Sequence, residues 1–204
     1  SVHQSVANNI ALPYLTPGTG IGGQLKQFPE DFFVDEIPAY EPSGEGEFLF
    51  LQIEKRGLST PDLLEHIRSV LSLKPSDVTC AGRKDTSAVT RQYVSVPVVA
   101  SELIDRIETD QTRILSAKRH TNRLKTGHHR GNRFRVVVRD AVPNATSLAE
   151  KNVAAIRQSG FPNYFGDQRF GQAGTTDDPG FRLLRGERVR RMSRDRLRFT
   201  LSAV

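Results

Sequence analysis

The chain has 204 residues, of which 37% are hydrophobic and 25% charged. This length and composition exclude intrinsic disorder and predict a folded, soluble protein of one domain or one and a half. Its single cysteine, Cys80, excludes a disulfide framework and a multi-cysteine metal site, and the net charge of +6 points to an acidic partner.

The sequence contains no segment that predicts membrane association. Its apolar runs are a few residues long, whereas a bilayer span needs about 20. The first residues lack the basic and apolar regions of a signal peptide. With only one cysteine, these features predict a cytoplasmic protein.

The first predicted elements are two strands and a helix. Apolar and polar residues alternate over 33–37, and a second β-type run over 47–55 follows turn residues at 42–46, which predicts a β-hairpin. Thr60 followed by Pro61 is typical of an N-cap and first helical position, and apolar residues then recur at helical spacing to about Leu73. We therefore expect an amphipathic helix that ends before Pro75.

The remaining elements mix β and α. The pattern predicts strands over 91–99, 113–117 and 133–139, with a short helix over 102–107. Ser147 and Glu150 form a capping box that predicts a helix ending at Gly160.

Positive charge is concentrated in two blocks. Residues 1–60 contain three Lys or Arg against eight acids, whereas residues 111–139 contain nine Lys or Arg and no acid. A second block, residues 182–198, contains eight Arg and two acids. Dense cationic patches bind phosphate polymers because neutralised phosphates release counterions. We expect nucleic acid or another polyanion as partner, contacted by Arg119, Arg123 and Lys125, with a solvated surface face as the alternative.

Two segments have side chains suited to chemistry. Asp85 is the one acid among three basic residues in 81–92, and such neighbours favour an ionised carboxylate able to act as nucleophile or base; a loop ion pair is the alternative. Residues 127–134 offer amide, guanidinium and aromatic groups that could hold an extruded base. The adjacent His128 and His129 lack further ligands at a familiar spacing, so no metal is expected.

Four motifs in register resemble the TruD family of tRNA pseudouridine synthases. They are Leu25-Lys26 with Pro29-Glu30-Asp31-Phe32, Gly82-x-Lys84-Asp85-x-x-Ala88-x-Thr90-x-Gln92, Arg119-His120 through Gly131-Asn132-x-Phe134, and Asn163-Tyr164-Phe165-Gly166-x-Gln168-Arg169-Phe170-Gly171.

The resemblance implies the site. It makes Asp85 the catalytic aspartate, makes Phe32 and Asn132 contacts of the target uridine, and assigns Lys84 and Phe134 to the same pocket. The implied fold is α+β, a pseudouridine synthase core with a mixed, largely antiparallel sheet flanked by helices.

The resemblance also implies the substrate, the uridine at position thirteen in the D arm of tRNA, and a reaction that needs neither cofactor nor metal. A TruD-like domain that binds structured RNA without catalysis and a metal-dependent nuclease are the alternatives. Residues 198–203 resemble the opening of a family motif that a second half with an inserted domain follows. Residues 1–204 are therefore expected to be the N-terminal part of a catalytic domain.

Overall fold

The computed structural model describes residues 15–16 and 20–161. The chain divides into two compact units, Thr19–Ala149 and a second made of Ser1–Gly18 with Glu150–Val204. The sheet and every described site residue belong to the first unit. No helix in the described part of the chain is long and apolar enough to cross a bilayer.

Eight strands and two α-helices make up the regular structure of the described residues. The strands are β1 (Gly22–Leu25), β2 (Phe32–Pro38), β3 (Phe48–Arg56), β4 (Thr79–Cys80), β5 (Val89–Pro97), β6 (Thr112–His120), β7 (His129–Val136) and β8 (Val138–Ala141). The α-helices are α1 (Thr60–Val70) and α2 (Ala145–Ser159), with 3-10 turns at Pro29–Asp31, Pro75–Asp77 and Val98–Ile107.

The main sheet is mixed and largely antiparallel, as expected for this fold class. Its strand order is β6-β3-β5-β2-β7, and β4 also pairs with β5. Only the β2–β5 pair in this sheet is parallel. A separate two-stranded ribbon pairs β1 with β8. The α+β prediction is confirmed.

The predicted hairpin over 33–55 is wrong, because β5 lies between β2 and β3. β3 pairs with β5 in an unbroken register from Phe48↔Pro97 to Arg56↔Val89. The turn that the sequence offers for a hairpin contacts β6 instead, through a 3.0 Å bond from Gly44 N–H to the carbonyl of Arg119. Turn residues show where the chain bends, but the partner of each strand is decided by burial across the sheet.

The hydrophobic core lies between α1 and one face of β3 and β5. Leu63 and Ile67 of α1 are fully buried against Leu51 and Val94 of the sheet. The helix begins one residue earlier than predicted, since the Ser59 hydroxyl accepts the N–H of Asp62. The Thr60 hydroxyl, predicted as the cap, is thereby left for contacts with the loop before β5.

The opposite face of the sheet carries a row of alternating charges. Adjacent register positions across the five strands from β7 to β6 are occupied by Arg133, Asp35, Arg91, Glu54 and Arg113. Arg91 Nε is 2.8 Å from Glu54 Oε2, and Arg133 lies 3.9 Å from Asp35. Cross-strand pairs of opposite charge stabilise a sheet, and this charged face leaves the other face to form the core and the candidate site.

Two later predictions were partly correct. The strand expected over 133–139 is split into β7 and β8, with Val137 between them donating its N–H to the carbonyl of Asp31. α2 begins at Ala145, before the predicted cap at Ser147, and Gly160 follows its last residue with a φ of 69°. That left-handed conformation suits glycine, which explains why the helix ends there.

Candidate active site

Asp85 lies in the irregular loop of residues 81–88, between β4 and β5, with 35% of its side chain exposed. Its Oδ2 is 2.6 Å from Lys26 Nζ, and its Oδ1 accepts the N–H of Ser87 at 3.0 Å. Partial burial raises the pKa of the carboxyl, but Lys26, the Ser87 N–H and the charge of Lys55 together hold that pKa below its ordinary value of 3.8. Asp85 is therefore an anion at neutral pH.

A short ribbon holds Lys26 in place. Lys26 directly follows β1 and adopts a left-handed backbone with φ of 56°, a conformation uncommon outside glycine. The partner strand β8 contributes Arg139, whose guanidinium makes two 2.8 Å bonds to the buried carboxylate of Asp31. Because Asp31 directly precedes Phe32, this ion pair fixes the ribbon next to the start of β2.

Phe32 and Phe134 form an aromatic surface beside the aspartate. Their ring centroids are 5.9 Å apart with planes tilted by 36°, and Phe134 is 57% exposed. Lys26 Nζ lies 4.1 Å from the centre of the Phe32 ring, a cation–π distance. An exposed aromatic surface of this kind can stack with a nucleobase.

Lys84, expected in the substrate pocket, is held beneath the loop by a buried acid. Its ammonium pairs with Glu36, and the two side chains are only 4% and 1% exposed. Glu36 also accepts the N–H of Tyr93 at 3.0 Å. The pair therefore holds the residue next to Asp85 against the centre of the sheet. Glu36 is not among the site residues predicted from the sequence, although an acid that shares a strand face with Phe32 and Val34 is a signal for a buried partner.

Asn132 sits directly opposite Glu36 in the β2–β7 register. Its Oδ1 is buried and without a hydrogen-bond partner among residues 15–16 and 20–161, and the same holds for Nδ1 of His129. The His129 ring lies beside the loop, 3.4 Å from where a Cβ on Gly82 would stand. Unsatisfied buried polar atoms are costly, so these two atoms are candidates for hydrogen bonds to a bound ligand.

Lys55 is a second residue that the sequence analysis missed. It is fully buried on β3, and its Nζ donates to the carbonyls of Leu58 and, at 2.9 Å, of Asp85. Burial lowers the pKa of Lys55 to about 8, although the charge of Asp85 opposes this and that of Lys84 adds to it. The signal was its position, since Lys55 continues an alternating apolar run on the core side of its strand.

The three predicted RNA contacts are placed differently from one another. Arg119 Nε donates to the carbonyl of Gly46 at 2.9 Å, and Arg123 donates to that of Ser76 at 3.0 Å. Lys125 is exposed in the loop whose Gly127 N–H bonds to the carbonyl of Ala81 at 2.8 Å. Of the three, Lys125 is thus the one whose own loop is hydrogen-bonded to the loop that carries Asp85.

Some expected features lie elsewhere. The motif at 163–171 and the arginine block at 182–198 are outside the described residues.

A cavity of about 580 Å³ opens on the charged face of the sheet, and none of the predicted site residues lines it. Within the described ranges, no three His, Cys, Asp or Glu side chains are grouped to hold a metal ion.

The chemistry available to this arrangement follows from three groups. Lys26 joins the three groups, because it forms an ion pair with the Asp85 carboxylate and a cation–π contact with the Phe32 ring. The carboxylate can attack an electrophilic carbon or remove a proton. The aromatic face can hold a planar ring beside it.

A family model matches most of the chain. Residues 10–191 match the model described as tRNA pseudouridine synthase D (TruD). A tRNA pseudouridine synthase D from Geobacter metallireducens is 46% identical over 175 residues, covering 85% of this chain and 43% of the relative. One from Anaeromyxobacter dehalogenans is 42% identical over 198 residues, covering 94% of this chain and 56% of the relative. The chain thus spans about half the length of these curated relatives.

A solved structure shares the fold. The crystal structure of a Methanosarcina mazei protein assigned as a tRNA pseudouridine synthase D superposes with a TM-score of 0.74 at 34% identity. It matches 86% of this chain, which covers 41% of that protein.

Proposed function

Because the chain belongs to the TruD family of tRNA pseudouridine synthases, we propose that it isomerises uridine to pseudouridine in tRNA with Asp85 as the catalytic residue. The observation that carries this proposal is the Asp85 carboxylate, partly exposed, ionised and 2.6 Å from Lys26. The aromatic surface of Phe32 and Phe134 adjoins that ion pair. The carboxylate can act as nucleophile or base, and the aromatic surface can hold the uracil ring beside it.

The reaction breaks the N-glycosidic bond, turns the uracil and rejoins it to the ribose through carbon five. Carbon five loses its proton and the released ring nitrogen gains one, so the atoms balance without an oxidant, a cofactor or a metal. Asp85 can take part by attacking the uracil ring, by attacking the ribose, or by removing a ribose proton to give a glycal. In each route its anionic form is the reactive one.

We propose the uridine at position thirteen of the D arm as the target. Such a base is stacked in folded RNA and must be flipped out, which costs a few kcal/mol. Stacking on Phe32 and Phe134, together with a hydrogen bond to Asn132, would offset that cost. Lys84 contributes by holding the loop that carries Asp85, through its buried ion pair with Glu36.

We further propose that residues 1–204 form the N-terminal part of a catalytic domain and act on tRNA in the cytoplasm. In support, the chain matches 43% and 56% of the Geobacter metallireducens and Anaeromyxobacter dehalogenans relatives over 85% and 94% of its own length. The basic block at 111–139 supplies the charge for tRNA binding.

The test is tritium release from carbon-five-labelled uridine in an unmodified tRNA transcript, with no metal or cofactor added. We expect the chain to release tritium and Asp85→Asn to release none while its tRNA affinity stays close to that of the unaltered chain. Asp105→Asn is the matched control, because Asp105 is exposed on the 3-10 turn Val98–Ile107. Equal release by the chain and Asp85→Asn would overturn the assignment of Asp85.

Two further outcomes separate the alternatives. RNA binding without release by a folded chain would indicate either that catalysis requires the second half of the domain or that the domain only binds RNA. Cleavage of the transcript that depends on a divalent ion would indicate a nuclease.

A further inference from the structure

Lys55 is a buried cation that the proposed chemistry does not use. Its side chain has no exposed surface and lies on the core side of β3, in line with Leu49, Leu51 and Ile53. Both of its hydrogen-bond acceptors are neutral carbonyls, of Leu58 and Asp85. Burial of a cation among neutral groups is costly, so a lysine at this position calls for an explanation that packing does not supply.

Residues 55–60 hold the loop that carries Asp85 at three points. The Lys55 ammonium binds the carbonyl of Asp85 at 2.9 Å. The Thr60 hydroxyl accepts the N–H of Lys84 at 2.8 Å. The N–H of Gly57 donates to the carbonyl of Ala88 at 3.1 Å. Residues 55–60 therefore fix the loop before, at and after the aspartate, and Lys55 is the charged member of the three.

We propose that Lys55 is a positioning residue for Asp85, holding its backbone in place and stabilising its carboxylate anion. The buried Lys55 ammonium binds the backbone carbonyl of Asp85, whereas the partly exposed Lys26 binds its side chain. The charge of Lys55 also acts on the carboxylate itself, and it is among the causes that keep the pKa of Asp85 low. The catalytic consequence rests on the proposed function, whereas the effect on the loop does not.

The experiment compares the chain with Lys55→Met, which keeps the length of the side chain but removes its charge and its donors. Two readouts are independent of activity. Amide hydrogen exchange over residues 84–88 is expected to become faster, and the Asp85 carboxyl, followed by carbon-13 NMR, is expected to titrate at higher pH. Lys74→Met is the matched control, since Lys74 is exposed beside the 3-10 turn Pro75–Asp77.

The activity readout separates positioning from bulk stability. We expect kcat for uridine isomerisation to fall by about tenfold or more with KM nearly unchanged, because small displacements of a reacting group cost up to about 100-fold. Lys55→Met removes the cost of burying a charge but leaves the carbonyls of Leu58 and Asp85 without this donor. These two effects oppose each other, so the unfolding midpoint is expected to change little. A lower midpoint with an unchanged Asp85 titration would overturn the proposal.

A second variant covers the case in which Lys55→Met does not fold. Lys55→Gln keeps an N–H donor group but no charge, so the Asp85 carboxyl should titrate at higher pH while loop exchange changes less. Unchanged loop exchange and an unchanged Asp85 titration in a folded variant would overturn the proposal. If the unaltered chain releases no tritium, the proposed function fails, while the exchange and titration results still decide the role of Lys55.

Discussion

Lys26 Nζ lies 2.6 Å from Asp85 Oδ2 and at the same time 4.1 Å from the centre of the Phe32 ring. The cation therefore occupies the space in front of the aromatic face on which a base would stack. A bound uracil ring on this face would contact Lys26 directly or displace it from the aspartate. The ion pair and the stacking surface cannot be treated as independent parts of the site.

Replacing Lys26 should move the acidic limit of activity. Lys26 is a main cause of the low pKa of Asp85, so Lys26→Met is expected to raise that pKa. The ionised fraction would then be lost at a higher pH as the solution is acidified. The measurement is the pH profile of kcat/KM for tritium release, with Lys74→Met as control. An acidic limb that does not move would show that Lys26 does not set the ionisation of Asp85.

Phe134, the exposed ring of the aromatic surface, is expected to contribute to RNA binding but little to the free energy of unfolding. Phe134 is 57% exposed, and truncating a partly exposed ring creates no closed cavity, so Phe134→Ala should lower the unfolding free energy by about 1 kcal/mol or less. Removing one ring that stacks on a base should weaken binding of a uridine-containing oligonucleotide by about 1–3 kcal/mol.

Two further variants test whether the ring face is what matters. Phe134→Tyr keeps the aromatic face and should bind like the unaltered chain, whereas Phe134→Leu keeps only apolar bulk and should bind like Phe134→Ala. Equal binding by the leucine and tyrosine variants would contradict stacking. Fluorescence anisotropy with a labelled oligonucleotide measures these affinities.

The Asp31–Arg139 pair predicts a pH-dependent stability. The hydrogen bonds from Arg139 are the main cause of the low pKa of Asp31. Burial of the Asp31 carboxyl raises this pKa, and the hydrogen bond from the N–H of Phe28 lowers it further. An aspartate whose folded-state pKa is depressed stabilises the fold above its ordinary value of 3.8 and loses that contribution as the pH falls through the folded-state value.

Arg139→Met should therefore destabilise the protein most at neutral pH, and the difference from the unaltered chain should shrink as the pH falls below 3.8 and Asp31 is protonated. Urea unfolding at several pH values measures this, with Arg106→Met, an exposed site on the 3-10 turn Val98–Ile107, as control. A pH-independent difference would show that Arg139 acts by packing on Phe28, whose ring centre lies 5.0 Å from the guanidinium.

The sequence was informative wherever local chemistry decides the structure. The α1 helix, the Gly160 terminus and the position of Asp85 in a loop before a strand follow from spacing, backbone conformation and neighbouring cations. These features depend on residues a few positions apart, which is the range over which such patterns act. Strand pairing was not accessible in this way, because β5 lies between β2 and β3 through pairs such as Phe33↔Val89 and Phe48↔Pro97, whose members are far apart in the sequence.

The missed site residues share one physical reason. Lys26, Glu36 and Lys55 act on the loop from three different strands or strand ends. The sequence distances are 59, 48 and 30 residues in the pairs Lys26–Asp85, Glu36–Lys84 and Lys55–Asp85. Charged residues at core-facing positions, such as Glu36 and Lys55, were visible in the alternation. Their partners were not, because a contact between a strand and a distant loop produces no regular spacing in the sequence.

The basic block predicts a graded effect on RNA affinity. Arg119 and Arg123 are exposed but bond to the carbonyls of Gly46 and Ser76, whereas Lys125 is exposed in the loop that adjoins Ala81. If all three neutralise phosphates, replacing them together by alanine should make the dependence of log affinity on log salt shallower, by about 0.9 for each phosphate that is no longer neutralised.

Lys125→Ala alone should reduce the slope by about 0.9 without changing the unfolding midpoint. Lys74→Ala, outside the block, should leave the slope unchanged, and a triple variant with an unaltered slope would assign these side chains to a solvated face. The measurement is tRNA binding across a series of salt concentrations.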